Sequence, residues 1–312
     1  MRVNIHSIAP QFNYSFNTTD VGIVGVYGIS GSGKSSLLDA LAGYQNNLKG
    51  SIKFNNSYLF NTEAKQFSHV IKCSYMRQHP ILFPHWTINE NLNFALEHSN
   101  SKININNLLD KLDCKQLSNK YPKQLSGGEK QRIAFIRSLI LIKNNGLVLL
   151  DEPFSALDKK NRLVAIELLN HYKKKCLIYL VTHKISEIYE IADELLCIKS
   201  GTISYHDTIS LAMSSGRNQL PIASRITLEN KPQIIYADDV SISLQHNPHS
   251  SIVHQLDVYI SAINIINDVA ILQLKTDTQR LYAKITKQSL QKLNLTNNIK
   301  VVANFKATSY GK

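Results

Sequence analysis

The sequence predicts an α/β domain built on a largely parallel sheet, followed by a small, all-β, barrel-like domain. Three observations predict this. Up to about Ser204, short apolar runs alternate with segments of helical periodicity. One of those runs leads directly into a glycine-rich loop and then a helix, Gly28 to Ser35 (GISGSGKS). Past about Lys231 the apolar runs become short, β-branched and partly alternating, with polar, turn-like breaks between them.

Taken in order, Val21 to Tyr27 reads as a buried strand, and Ser35 to Ala42 as the helix after the loop, closed by Gly43. Leu147 to Leu150 and Leu177 to Val181 are two further buried strands. Between them, Lys159 to Lys175 places Ala165, Leu168, Leu169 and Tyr172 on one helical face, as a crossover helix requires. Residues 205–230 have weak periodicity and a Ser-Ser-Gly, and are expected to form a connector. The later strands are Val258 to Ile263, Val269 to Leu274, Leu281 to Ile285 and Val301 to Phe305, with one short helix near Gln288 to Leu293. The expected division is therefore 1–204, 205–230 and 231–312.

Composition bounds the function without naming it. In 312 residues, 43% hydrophobic and 19% charged, there is material for one large core and one smaller one. The formal net charge of +12 suits nucleic acid, an anionic membrane surface or phosphate-bearing ligands, and suits a lysine-rich solvated surface equally well. The four cysteines (Cys73, Cys114, Cys176 and Cys197) form no C-x-x-C pair, which argues against a disulfide framework or a zinc site and fits a reducing cytosol. The amino terminus lacks a signal-peptide pattern, and no run of about 18 uncharged apolar residues is present. Any membrane role is expected to go through a partner.

The loop at Gly28 matches G-x-x-x-x-G-K-[ST] in full. Its glycines let the backbone wrap closely around phosphates with successive N–H groups turned inward, and the following helix aims its positive end at the same anion. Gly28, Ser30, Gly31, Ser32, Gly33, Lys34, Ser35 and Ser36 are the candidate nucleotide contacts. Lys34 is expected to bridge the β- and γ-phosphates, and the Ser35 hydroxyl to ligate Mg²⁺. The strand at Leu147 ends in two carboxylates: Asp151 is placed for Mg²⁺ coordination, and Glu152 for the general base that polarises the attacking water. His183 ends the next strand, where parallel sheets carry their ligand chemistry, and is expected to face the γ-phosphate.

Leu125 to Arg132 (LSGGEKQR) resembles the LSGGQ signature of ATP-binding cassette (ABC) proteins, and the other family markers follow in order. The resemblance covers residues 1 to about 204 and implies a P-loop NTPase cassette with a helical subdomain beside its mostly parallel sheet. It implies that Ser126, Gly127 and Gly128 form a second anion cradle at a helix start, completing the γ-phosphate site of a second copy in a head-to-tail homodimer. Gln78 looks like the Q-loop glutamine that senses Mg²⁺ and water, Ser155 to Asp158 resembles the D-loop, and His183 the switch histidine. The family stacks adenine on an aromatic residue near the first strand; Phe12 and Tyr14 are both candidates.

Gln78 to Leu92 looks like the surface of importer ATPases that receives a membrane subunit, and Leu82 to His85 (LFPH) is similar to molybdate-importer subunits. Ala237 to Leu244 resembles the entry to the accessory domain of these importers. Ser250 to Leu256, and the segments from Leu281 to Ser309, resemble an OB-like molybdate-binding (Mop) domain, with Ser250, Ser251, Lys306 and Ser309 as candidate oxyanion ligands. Val253 and His254 stand where that domain carries arginine and asparagine, and the connector is shorter than in larger relatives.

The resemblance thus implies an ATP-hydrolysing subunit for molybdate or tungstate uptake. It would sit peripherally on the cytoplasmic face of the inner membrane and work with integral permease subunits and, through them, a substrate-binding protein. An importer of sulfate, ferric iron, polyamine or sugar is the alternative. A soluble cassette acting on nucleic acid or ribosomes would suit the charge, but this chain has one cassette and a transporter-like tail, so no nucleic-acid partner is expected.

Overall fold

A computed structural model describes the chain apart from residues 9, 46, 65, 68–72, 100–102, 216–219, 229–230, 247–253 and 306–312. It divides into two units, 1–207 and 208–312.

The first unit opens with an antiparallel hairpin, β1 (Arg2–Ile8) and β2 (Gln11–Asn17), whose side chains alternate strictly between solvent and core. Then come β3 (Gly22–Tyr27), α1 (Lys34–Leu41), β4 (Lys49–Phe54), β5 (Ser57–Asn61), β6 (Gln66–Phe67) and β7 (Cys73–Met76). Helices α2 (Ile88–Ser99), α3 (Ile105–Lys111) and α4 (Gly127–Ile140) follow, with α2 and α3 packed on α4. The chain returns through β8 (Leu147–Asp151), α5 (Lys159–Tyr172), β9 (Leu177–Val181), α6 (Ile185–Ile191), β10 (Glu194–Lys199) and β11 (Thr202–Thr208).

One eleven-stranded sheet collects these strands in the order β6-β5-β4-β1-β2-β11-β10-β3-β9-β8-β7. From β10 through β3, β9 and β8 to β7 the pairs are parallel. From β2 to β6 the consecutive pairs are antiparallel. The expected parallel sheet is therefore only part of this eleven-stranded sheet. The reason is local: β8 and β9 are apolar on both faces and buried throughout, as strands covered by helices must be, whereas β1 and β2 have one wet face. Val3, Ile5, Tyr14, Phe16, Val24 and Leu37 belong to one continuous core that joins the two halves.

The second unit contains α7 (Ile209–Ser215), an antiparallel pair β12 (Ala223–Leu228) and β13 (Lys231–Tyr236), then β14 (Ser241–Ser243), β15 (His254–Ile266), β16 (Val269–Lys275), β17 (Arg280–Thr286), α8 (Lys287–Lys292) and β18 (Lys300–Phe305). Its larger sheet is antiparallel in the order β14-β18-β15-β16-β17. Ile226 and Ile235 of the smaller pair share a core with Val258, Leu272, Ala283 and Phe305 of the larger sheet. The stretch 205–230, expected as a connector, instead carries the end of β11, helix α7 and strand β12. The four strands and the short helix expected after residue 231 are all present within a few residues of their expected ends.

Candidate functional site

The site lies at the carboxyl ends of the parallel strands. After β3, the backbone from Gly28 to Gly33 forms an open loop that delivers Lys34 into the first turn of α1. Gly33 takes φ +110°, and a Cβ there would stand 2.4 Å from the Tyr14 hydroxyl, so only glycine fits. Tyr14 donates its phenolic proton to the Gly33 carbonyl at 2.8 Å, and Gly201 N–H donates to the Ser32 carbonyl at 2.8 Å. Core and turn thus hold the loop from behind.

Inside the loop, the Lys34 ammonium donates to the carbonyls of Gly28 (2.8 Å) and Ile29 (2.9 Å). Burial pulls its pKa down, while the carboxylates of Glu152 and Asp151 push it back up. The Ser32 hydroxyl is buried and, among the described residues, has no hydrogen-bond partner. Such a group costs about 1–3 kcal/mol unless something pairs with it, and it sits in the loop whose sequence matches the phosphate-binding pattern. Ser30, Gly31 and Ser35 are exposed and Ser36 is half-buried.

The Ser35 hydroxyl donates to Asp151 Oδ2 at 2.8 Å, joining the helix start to the end of β8. Asp151 is 4% exposed; burial pushes its carboxyl up, Ser35 pulls it down, and the neighbouring Glu152 carboxylate pushes it up again. A hydroxyl and one buried carboxylate beside a phosphate cradle are the donor set that suits Mg²⁺, which keeps several waters and takes the rest from nucleotide phosphates. The residues present fit the ion.

Glu152 follows with φ +54°, a conformation that side-chain-bearing residues seldom adopt. Its N–H donates to the Val181 carbonyl at 2.9 Å, and its carboxylate meets His183 Nδ1 at 2.8 and 2.9 Å. Parallel pairing of β8 with β9 sets this contact, because Asp151 pairs with Val181 and each strand runs on into the loop above. Lys34, Ser35, Asp151, Glu152 and His183 therefore form one connected group.

The remaining expected residues are arranged around it. Ser126 caps α4: its hydroxyl accepts from Glu129 N–H (3.3 Å), while the Glu129 carboxylate takes the Ser126 N–H (2.7 Å) and is held below the usual carboxylate range by that bond. Gly127 and Gly128 form the first turn; the Ser126 hydrogen bonds stay within this helix end. Asp158 caps α5, accepting from Asn161 N–H at 2.8 Å. Gln78, just beyond β7, is exposed, and its carbonyl accepts from Gln131 Nε2 at 3.4 Å. Gln131 also meets Ser155 at 3.2 Å; sequence reading missed it, and its only signal is its place in the segment after Ser126.

Of the two aromatic candidates for adenine, Tyr14 is fully buried with its hydroxyl on Gly33. Phe12 is 4% exposed and stacked on Tyr14 at 4.7 Å, so neither offers an open ring face. Phe12 does border a cavity of about 440 Å³ whose wall includes Gly201. Of the oxyanion candidates, Ser250, Ser251, Lys306 and Ser309, like Val253, lie outside the described residues; His254 is described and stacks on Phe305 at 5.7 Å.

This strand–loop–helix cradle, with a hydroxyl–carboxylate pair and a Glu–His couple beside it, defines a nucleotide-hydrolysing cassette, and residues 12–155 match the ABC transporter family. A molybdenum import ATP-binding protein of Saccharophagus degradans is 30% identical, over 96% of this chain and 95% of its own length. The chain therefore belongs to the ABC transporter ATPases, and within them to the family of molybdenum import ATP-binding proteins. A sulfate/thiosulfate import ATP-binding protein of Anthoceros angustus is 39% identical over 58% of this chain and 48% of its own. Among solved structures, a dimeric ATP-binding cassette in a post-hydrolysis state with ADP and Pi shares the fold, with TM-score 0.54 and 24% identity over 63% of this chain and 89% of that one.

Proposed function

We propose that this chain hydrolyses ATP to energise molybdate or tungstate uptake. It would act as a homodimer on the cytoplasmic face of the membrane, bound to integral permease subunits that take cargo from a substrate-binding protein. The observation that carries the ATPase part is the connected group of Lys34, Ser35, Asp151, Glu152 and His183. The end-to-end likeness to the Saccharophagus degradans protein supports the cargo.

In this reading the loop amides and Lys34 hold the triphosphate, and Ser35, Asp151 and Gln78 hold Mg²⁺. The ion supplies charge neutralisation on the phosphate oxygens. Glu152 accepts a proton from the water whose oxygen attacks the γ-phosphorus; the bond to the bridging oxygen breaks, and ADP leaves. His183 steadies the Glu152 carboxylate. Ser126, Gly127 and Gly128 of a second copy close over the same γ-phosphate, as their place at a helix start allows, and Asp158 belongs to the same closing surface. Catalysis is positioning and charge stabilisation.

The permease surface is read from Ile81, Phe83 and Trp86, large apolar side chains left exposed after Gln78. They border or adjoin a cavity of about 230 Å³ flanked by Arg77 and Arg137. In the second unit, antiparallel strands around one core fit an OB-like Mop domain that senses the oxyanion. A second reading, uptake of sulfate, is favoured by the Anthoceros angustus likeness over the cassette.

The test is twofold. ATP hydrolysis by the purified chain, lost in Lys34→Ala, checks the enzyme. Calorimetric titration of the full chain with molybdate, tungstate and sulfate checks the cargo: selective binding of the first two supports it, and selective sulfate binding refutes it.

A further inference from the structure

Gln131 lies on α4, just over one turn past Ser126, and is half-buried. Its amide stands between two segments far apart in sequence. Nε2 donates to the Gln78 carbonyl at 3.4 Å, and Oε1 accepts from the Ser155 hydroxyl at 3.2 Å. The amide orientation is fixed by chemistry, because turning it over would set Oε1 against the Gln78 carbonyl, acceptor against acceptor.

Ser155 carries the link onward. Its N–H donates to the Glu152 carbonyl at 3.3 Å, and its hydroxyl reaches the same carbonyl at 2.9 Å. That hydroxyl has one proton and two acceptors in range, Gln131 Oε1 and the Glu152 carbonyl, so it can serve fully only one at a time. Glu152 itself sits at φ +54°, and a residue stays in such a conformation only where its surroundings over-determine it. The bonds to its carbonyl are part of that determination. Ser155 therefore helps to hold the turn from which the carboxylate extends toward His183.

We propose that Gln131 is a positioning residue that ties the backbone of Gln78 to the turn carrying Glu152, so that movement of the Gln78 segment resets the general base. The proposal rests on the ATPase reading above. A displacement of Gln78 removes one anchor of the Gln131 amide and frees it to rotate off Ser155, which leaves the Ser155 proton to the Glu152 carbonyl. Helix α4, fourteen residues long, is the strut on which the amide is mounted.

The experiment measures ATP hydrolysis by the full-length chain, normalised to bound nucleotide, for Gln131→Ala, Ser155→Ala, the double variant and Gln131→Glu. Among the described residues Gln131 makes no hydrogen bond to the phosphate loop, so Gln131→Ala is expected to lower kcat about tenfold while KM for ATP stays within about twofold. The double variant should be no slower than the slower single one, since both substitutions cut the same link. Gln131→Glu keeps an acceptor for Ser155 but opposes the Gln78 carbonyl, so its kcat should fall between wild type and Gln131→Ala. Its near-identical size guards against misfolding, and an unchanged melting temperature in this variant makes the kcat value decisive. A Gln131→Ala kcat within about twofold of wild type, or a double variant showing the product of the two single losses, overturns the proposal. Absence of ATP hydrolysis in the wild-type chain would instead refute the enzyme reading itself.

Discussion

Glu152→Gln separates chemistry from architecture. The substitution exchanges one oxygen for NH₂ and leaves the backbone at φ +54° and the side-chain length unchanged. In the folded chain the carboxylate meets His183 Nδ1 through both oxygens, at 2.8 and 2.9 Å, and His183 is more than half exposed. The amide keeps one acceptor for that nitrogen, so the fold loses one partly solvated hydrogen bond, about 0.5–1 kcal/mol. In a chain of this size that lowers Tm by roughly 1–4 °C. Loss of a general base costs about 10²–10⁴ in rate, or roughly 3–5 kcal/mol of barrier. Phosphate release at saturating Mg-ATP, run beside a melting curve, reads both quantities. Light scattering on the ATP-loaded variant should also show a nucleotide-bound dimer that persists. Turnover within about tenfold of wild type would refute Glu152 as the base. A large fall in Tm with little kinetic effect would make it a structural residue.

Two further substitutions test the cradle. Burial pushes the Asp151 carboxyl up, so the folded chain holds that proton to higher pH than the unfolded chain; stability falls as pH rises from the unfolded pKa through the folded one. Asp151→Asn should therefore raise Tm at neutral pH while abolishing Mg-dependent hydrolysis, and an unchanged or lowered Tm would contradict the buried-charge argument. Tyr14→Phe removes the hydroxyl that Gly33 accepts from at 2.8 Å, keeping the ring in the core. It should cost about 1–2 kcal/mol, seen as a lower Tm, and raise KM for ATP; an unchanged melting curve would mean the bond adds nothing.

How much of this was legible in the sequence follows burial. The strands at Leu147 and Leu177 are apolar on both faces, and the loop at Gly28 has one strict pattern, so the parallel half and its residues could be read directly. The antiparallel half was missed although Val3, Ile5 and Ser7, and Phe12, Tyr14 and Phe16, alternate inward cleanly; sheet partners are distant in sequence, so the alternation does not announce them. Residues 205–230 looked like a connector because α7 is only seven residues long, too short for periodicity to stand out, and β12 alternates with Arg225 and Thr227 on its wet side. The aromatic choice could not be settled from residue type, since Phe12 and Tyr14 face inward together. Gln131 was invisible for a different reason: a polar side chain acquires meaning only from the segments folded beside it.

The cap of α4 has a consequence for which substitutions the chain can tolerate. Serine, aspartate and asparagine close a helix start about equally well, because each offers an oxygen to the free N–H groups. At Ser126 the hydroxyl accepts from Glu129 N–H and still has its own proton to donate, in the function proposed above to the γ-phosphate. Aspartate would preserve the helix and repel the phosphate; alanine would weaken the helix and remove the proton without adding a charge. A screen scored by thermal stability would rank Ser126→Asp as harmless, and one scored by growth on scarce cargo would rank it among the worst. The disagreement between the two rankings would itself mark this serine as a residue kept for a proton rather than for a fold.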